Sequence, residues 1–319
     1  MWSALFPGQG SQHPGMGKFL YDEFQIARET FEEASDALKL DFKKLCFEGS
    51  EADLALTENT QPCLLLVSTA TYRVFTSLVD FKPVAAAGHS IGEYAANVAA
   101  GTMKFSDGIR AVRSRGQFMQ SAVPLGQGGM LAVMGLTPEQ TKKLCAWVES
   151  ETGEKPVEPA NFNAPGQIVI SGKAKLIEWL QKNFKADLFA PETPRCKFIP
   201  LKVSAPFHCS MMKPAEEKMA VVLNDIQFSD AKFPIVANVH AKPEKTGSAL
   251  RQLLIEQISS PVRWVECVEE LKQLGAQKMI EFGCGRVLAG LAKKIDSENI
   301  RTFNINSIED LKALETEFK

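Results

Sequence analysis

Val84-Ala85-Ala86-Ala87-Gly88-His89-Ser90-Ile91-Gly92-Glu93-Tyr94-Ala95-Ala96-Asn97-Val98-Ala99-Ala100-Gly101 is the stretch whose reading decides the fold. Its first four residues are an apolar run of strand length, residues 93–100 favour a helix, and Gly101 stops that helix. Between them lies Gly-x-Ser-x-Gly. Glycines two positions either side of a serine let a strand turn sharply into a helix, which holds the hydroxyl proud of the sheet. Backbone N–H groups at such a helix start can stabilise an oxyanion. The same order of elements, strand then helix, is the unit of a parallel sheet covered by helices.

The alternation continues outward. Toward the N-terminus the pattern predicts a strand over 2–6 and helices over 17–38 and 61–78; a further helix is capped near Ser106. From about residue 235 it predicts a strand (235–239), helices (248–257 and 262–274), a strand (278–282) and a helix (287–295). The middle of the chain differs. After a strand at 130–134, Thr137 is placed to cap a helix with Pro138 at its first position and Gln140 at its third, running to about 150. Strands at 157–162 and 167–171 flank the turn Asn163-Ala164-Pro165-Gly166, and a helix (173–184) and a strand (197–201) follow. The order βαββαβ is the ferredoxin-like signature. The expectation is an α/β chain in which residues 127–200, a small ferredoxin-like subdomain, interrupt a large catalytic subdomain built on a parallel sheet from 1–126 and 201–319.

Composition narrows the function classes. The 319 residues are about twice the ~150 expected for one domain. With 36 basic against 38 acidic side chains, nothing favours nucleic acid, whose phosphates are bound by clustered Lys and Arg. No apolar run approaches the ~18 residues of a membrane span, and the start, Met1 to Pro7, lacks the basic and apolar regions of an export signal. No membrane partner is expected. Seven scattered cysteines without a CxxC pair suit reduced thiols in a cytoplasm, and four dispersed histidines give no reason to expect a metal. No cofactor is called for.

A serine nucleophile needs a base. His89 adjoins Ser90 and would point away from its hydroxyl, while His13 and His240 have no distinctive surroundings. His208 lies in Ser204-Ala205-Pro206-Phe207-His208-Cys209-Ser210, a loop after a strand, where a base is often presented and where a histidine is as often structural. Phe6-Pro7-Gly8-Gln9-Gly10-Ser11-Gln12 follows the first strand, so it either shares a crevice with Ser90 at the carboxyl ends of the strands or is only a turn. Arg115 sits beside the apolar stripe Ile109, Val112, Gly116 and Met119. Its spacing leaves two readings open: a snorkelling side chain or a bidentate ligand for a carboxylate.

Seven motifs in order resemble the malonyl-CoA:acyl carrier protein transacylase family, which includes the acyltransferase domains of polyketide synthases. They are FPGQGSQ (6–12), TQP (60–62), GHSIGEY (88–94), RGQFMQ (115–120), NFNAPGQIVISG (161–172), the loop ending at His208, and EQISSPVRW (256–264). They span nearly the whole chain. The resemblance implies an α/β-hydrolase-like large subdomain with a ferredoxin-like insert. It implies that Ser90 attacks a thioester, that His208 serves as base and then acid, and that the Gln9 and Ile91 amides form the oxyanion hole. Arg115 would hold the malonyl carboxylate. Gln257, grouped with Arg115 at the substrate, matches the third triad position, and its backbone carbonyl would orient His208.

The implied enzyme is an S-malonyltransferase of fatty acid or polyketide biosynthesis, a monomer whose partners are malonyl-CoA and holo acyl carrier protein. Lys182, Lys185, Lys293 and Lys294 are candidates for meeting an acidic carrier, although for any one of them a solvated charged face is the commoner reading. A serine hydrolase or thioesterase is the alternative, since elbow and base serve both outcomes. Two positions bear on detail. Gly283-Cys284-Gly285 stands where the family usually has Gly-Pro-Gly, which questions that turn's rigidity. The family's polyketide branch tends to place Phe before the base for malonyl and Ser for methylmalonyl, so the resemblance implies malonyl from Phe207, although Pro206 is not that branch's usual neighbour.

Overall fold

The structure is a computed structural model that describes residues 1–319 except Thr193, Lys202 and Ser204, the last being the first residue of the His208 loop quoted above. Strand β1 (Trp2–Phe6) is followed by helices α1 (Lys18–Glu23), α2 (Gln25–Leu38), α3 (Phe42–Glu48), α4 (Glu51–Ala55) and α5 (Thr57–Leu78). Strand β2 (Ala86–Gly88) leads into α6 (Gly92–Ala100) and α7 (Phe105–Ser121). Next come β3 (Gly128–Met134), α8 (Pro138–Thr152), β4 (Val157–Ala164), β5 (Gln167–Lys173), α9 (Ala174–Asn183) and β6 (Lys197–Pro200). The chain ends with α10 (Lys213–Asn224), β7 (Ile235–Val236), β8 (Pro243–Glu244), α11 (Gly247–Glu256), α12 (Trp264–Gln273), β9 (Lys278–Glu281), α13 (Val287–Ile295), β10 (Arg301–Asn304) and α14 (Ile308–Thr316).

Two sheets result. One has the order β10-β9-β1-β2-β7-β8, parallel from β10 to β7 with β8 antiparallel at the edge. The other has the order β4-β5-β3-β6 and is antiparallel throughout. The parallel strands are buried on both faces, which is why β1, apart from Ser3, and residues 84–87 before Gly88 read as apolar runs without alternation. Phe6, Tyr72, Phe75, Phe81 and Phe282 pack ring to ring behind β1. Leu131, Val133, Leu144, Val148, Ile170 and Leu180 fill a separate core between the second sheet and its two helices. The two parts meet where Phe162 donates to the Val262 carbonyl at 2.9 Å and Val262 to the Ala160 carbonyl at 2.8 Å.

Several expectations are corrected. Residues 17–38 form two helices, because Phe24 is extended and the Arg28 guanidinium caps the first helix by donating to the Tyr21 and Asp22 carbonyls. The strand expected over 235–239 ends after Val236, and the helix expected from 262 begins at Trp264, Val262 being spent on the bridge to β4. The helix expected to be capped near Ser106 starts at Phe105 with no side-chain cap. The sequence pattern did not announce α3, α4, α10, α14, β8 or β10. The Thr137–Gln140 capping box forms as read. No helix among the described residues is long and apolar enough to cross a membrane.

Glycine is required where β2 meets α6. A Cβ on Gly88 would lie 2.0 Å from the Gly92 carbonyl group, and one on Gly92 would lie 2.0 Å from the Phe6 carbonyl oxygen. Backbone has nowhere to retreat to at either place, so α6 can start directly against β1 only with both glycines present. Gly92→Ala is therefore expected to lower the unfolding free energy by more than ~2 kcal/mol, against about 1 kcal/mol for Thr137→Ala. Denaturant titration checks this, and equal costs would contradict it.

Candidate active site

The turn between β2 and α6 puts Ser90 at φ 52°, a left-handed conformation that costs a non-glycine residue of order 1 kcal/mol and needs support from its surroundings. Asn238 supplies it. Its Oδ1 accepts from the Ser90 amide and its Nδ2 donates to the Gly88 carbonyl, each at 2.8 Å. The buried Asn238 side chain thus continues, beyond the end of β7, the pairing that the strand backbone no longer provides.

His208, 118 residues away in sequence, approaches with Nε2 at 2.7 Å from Ser90 Oγ. Its Nδ1 faces two carbonyl oxygens, Gln257 at 3.0 Å and Ser260 at 3.2 Å. Carbonyls only accept, so Nδ1 carries the ring proton, Nε2 is the lone-pair nitrogen, and the Ser90 hydroxyl donates to it. Burial, and then the Arg115 cation, push the His208 pKa down to about 3, against a smaller pull upward from the two carbonyls. The imidazole is neutral across the physiological range and able to take a proton.

Arg115 is 1% exposed, which removes the snorkelling reading. Its Nη2 donates to Ser90 Oγ at 3.1 Å and to Gln257 Oε1 at 2.9 Å, and the guanidinium lies 5.6 Å from the Tyr94 ring centre. Gln257 Nε2 donates to the Ser90 carbonyl and to Glu93 Oε2, both at 2.9 Å. Glu93 Oε2 also accepts from the Asn238 amide at 2.9 Å. Burial pushes the Glu93 carboxyl up to about 7, partly opposed by these bonds and by Arg115.

Ser90, His208 and Arg115 line a cleft of about 330 Å³ together with Gln9, Met119 and Phe207. The Gln9 loop abuts the elbow so closely that a Cβ on Gly8 would lie 2.6 Å from the His89 carbonyl oxygen. Ser11 Oγ donates to the Gly8 carbonyl at 2.8 Å, and Gln9 Nε2 donates to Thr57 Oγ1 at 3.3 Å, which fix the loop. The amides of Gln9 and of Ile91 at the head of α6 meet no protein acceptor among the described residues. Two such amides beside a serine are suited to an oxyanion.

The remaining residues singled out in the sequence fall elsewhere. His89 pairs with Asn163 Oδ1 at 2.8 Å and not with Ser90; His13 is near the Pro14 carbonyl, and His240 accepts from the Lys242 amide. The Gly283-Cys284-Gly285 turn is held by Asn306, which bonds both the amide and the carbonyl of Gly285 at 2.8 Å, so its rigidity does not depend on a proline. Lys182, Lys185, Lys293 and Lys294 are exposed, and Lys294 donates to Gln167 at 3.0 Å.

A family model described as "Acyl transferase domain" matches residues 4–301. The malonyl CoA-acyl carrier protein transacylase of Bacillus subtilis (strain 168) is 42% identical over 98% of this chain and 96% of its own length. The chain belongs to this acyltransferase family. The Haemophilus influenzae transacylase is 41% identical, covering 98% of each chain. Among solved structures, the transacylase of Coxiella burnetii superposes with a TM-score of 0.92 at 35% identity over 99% of this chain and 97% of that one. A malonyl-transacylase in complex with its type II PKS acyl-carrier protein superposes at 0.91 and 40% identity, covering 99% of both.

In this acyltransferase, motif reading did not single out Asn238, Glu93 or Ser260. Asn238 and Ser260 act on residues 148 and 52 positions away, through a side-chain amide and a backbone carbonyl; Asn238 lies outside the quoted motifs, and Ser260, though within EQISSPVRW, acts through a backbone atom that residue type does not reveal. Glu93 did leave one: a carboxylate in the first turn of an otherwise apolar helix buried nearly all round. The neutral His208 has a measurable consequence. The rate of Ser90 modification by an uncharged serine reagent such as phenylmethylsulfonyl fluoride is expected to stay level as pH falls from 8 to 5, because burial and Arg115 push the His208 imidazole pKa down to about 3. A half-fall at pH ~6.5, the ordinary histidine value, would contradict it.

Proposed function

We propose that the protein moves a malonyl group from coenzyme A to the phosphopantetheine thiol of an acyl carrier protein through an ester on Ser90. The observation that carries this reading is the single guanidinium nitrogen of Arg115 that reaches both the Ser90 hydroxyl and Gln257, next to a neutral His208. A carboxylate one methylene away from an ester on Ser90 falls within reach of that guanidinium.

Ser90 Oγ attacks the thioester carbonyl carbon as its proton passes to His208 Nε2, while the Gln9 and Ile91 amides take the oxyanion. The tetrahedral intermediate collapses, the C–S bond breaks, and His208 returns the proton to the departing thiolate. A carrier thiol then repeats the sequence in reverse, with His208 as its base. The carbonyls of Gln257 and Ser260 stabilise the transient imidazolium in place of a carboxylate. Arg115 fixes the acyl group's orientation beside Ser90.

The architecture serves this cycle. The parallel sheet with the elbow at the carboxyl end of β2 supports an α/β-hydrolase-like subdomain of 1–126 and 201–319. The antiparallel order β4-β5-β3-β6 with helices α8 and α9 supports a ferredoxin-like subdomain of 127–200. The cleft takes residues from both, Ser90 from the first and Met130 and Val169 from the second. The enzyme acts as a cytoplasmic monomer of fatty acid or polyketide synthesis, consistent with seven free thiols. Its acidic carrier is met by exposed lysines, among them Lys182, Lys185, Lys293 and Lys294.

Hydrolysis uses the same elbow and base, and the relatives are named transacylases. The two outcomes separate in a partition assay. With malonyl-CoA and holo acyl carrier protein, malonyl carrier is expected to exceed free malonate by well over tenfold. Mainly free malonate would overturn the transferase reading.

A further inference from the structure

Glu93 takes no part in the proton transfers above, yet it is a buried carboxylate whose charge acts on Arg115. Gln257 stands between them with Oε1 accepting from Arg115 and Nε2 donating to Glu93, both at 2.9 Å. A cation on the oxygen side and an anion on the nitrogen side hold the amide dipole in one orientation. One amide group and two hydrogen bonds put the two charges no more than ~8 Å apart, and neither residue is more than 1% exposed. At that separation and that burial their attraction is barely screened by salt. Glu93 Oε1 has no partner among the described residues, so its charge is only half answered by hydrogen bonds.

We infer that Glu93 is a specificity-determining residue, a buried counter-charge that weakens the hold of Arg115 on the acyl carboxylate so that the carboxylate-bearing acyl group is recognised without being trapped. This rests on the proposed role of Arg115. When the substrate carboxylate reaches Arg115, two anions share one cation, and the system relaxes by protonating Glu93. The charged and titratable groups acting on Glu93 are Arg115 from α7, Tyr94 on its own helix and Cys267 from α12. Tyr94 is pushed up to about 12 and Cys267 upward by burial, and the other partners, Asn238 and Gln257, are neutral. Between pH 6 and 8.5 only Glu93 changes charge in this group. Above its elevated pKa the carboxylate is present and malonyl binding is weakened; below it Glu93 is neutral and binding is stronger.

The test is binding of malonyl-CoA and acetyl-CoA to Ser90→Ala, which cannot form the ester, and to the double variant with Glu93→Gln. Glutamine keeps an acceptor oxygen for Asn238 and Gln257 while removing the charge. Acetyl-CoA shares the nucleotide and lacks the carboxylate, so the affinity ratio isolates the carboxylate's contribution. In Ser90→Ala the preference for malonyl-CoA is expected to fall about tenfold from pH 6 to 8.5. In the double variant it is expected to stay at the higher value throughout. A strong preference that is flat with pH, or one that Glu93→Gln leaves unchanged at pH 8.5, overturns the role of Glu93 and leaves Arg115 standing. No preference at any pH overturns the reading of Arg115 itself. Should the double variant not fold, calorimetry of Ser90→Ala in buffers of different ionisation enthalpy still decides: malonyl-CoA is expected to take up part of a proton at pH 8 that acetyl-CoA does not, and equal uptake overturns the proposal.

Discussion

A guanidinium taken out of water costs several kcal/mol unless its charge and its N–H groups are answered, and Arg115 is buried directly behind the nucleophile position. The surrounding residues answer it in part: its Nη2 is paired, while Nε has no hydrogen-bond acceptor among the described residues. Gln257 accepts from Arg115, and the Tyr94 ring lies within cation–π distance of its charge. Gln257 is committed at four points, holding Arg115, Glu93 and the Ser90 carbonyl by its side chain and His208 by its backbone carbonyl. An amide locked that way ties the position of the proposed carboxylate ligand to that of the proposed base.

Burial, and after it the same cation, keep the histidine neutral. In many serine enzymes a carboxylate faces the far side of the imidazole and would raise its pKa. Here two carbonyls occupy that side, which fixes the tautomer while adding little charge stabilisation, and Arg115 opposes protonation further. A bound acyl carboxylate would neutralise Arg115 and ease the transfer of a proton to His208. The geometry thus makes the proposed base most effective when a carboxylated acyl group is in place, and this couples recognition to chemistry.

What the sequence disclosed and what it hid follow from the range of the interactions. Gly88, Ser90 and Gly92 are neighbours, and the clash a Cβ would make there is local, so the elbow could be read directly. The Thr137–Gln140 capping box spans three residues and formed as read. The break at Phe24 depends on Arg28 reaching back over a turn, and the early end of β7 depends on a side chain replacing backbone, and neither has a periodic signature. Arg115 was ambiguous for the same reason: helical spacing placed it beside an apolar stripe, but only the packing of Tyr94 and Gln257 decides that its charge is enclosed. Motif order over the whole chain supplied the pairing of Ser90 with His208 that spacing could not.

The central claim, a malonyl ester on Ser90 held by Arg115, is tested most directly by mass spectrometry of the protein after brief exposure to malonyl-CoA without carrier protein. The account predicts one malonyl adduct per chain, mapped to the peptide containing Ser90 and abolished by Ser90→Ala. No adduct, or an adduct that persists in Ser90→Ala, would contradict it.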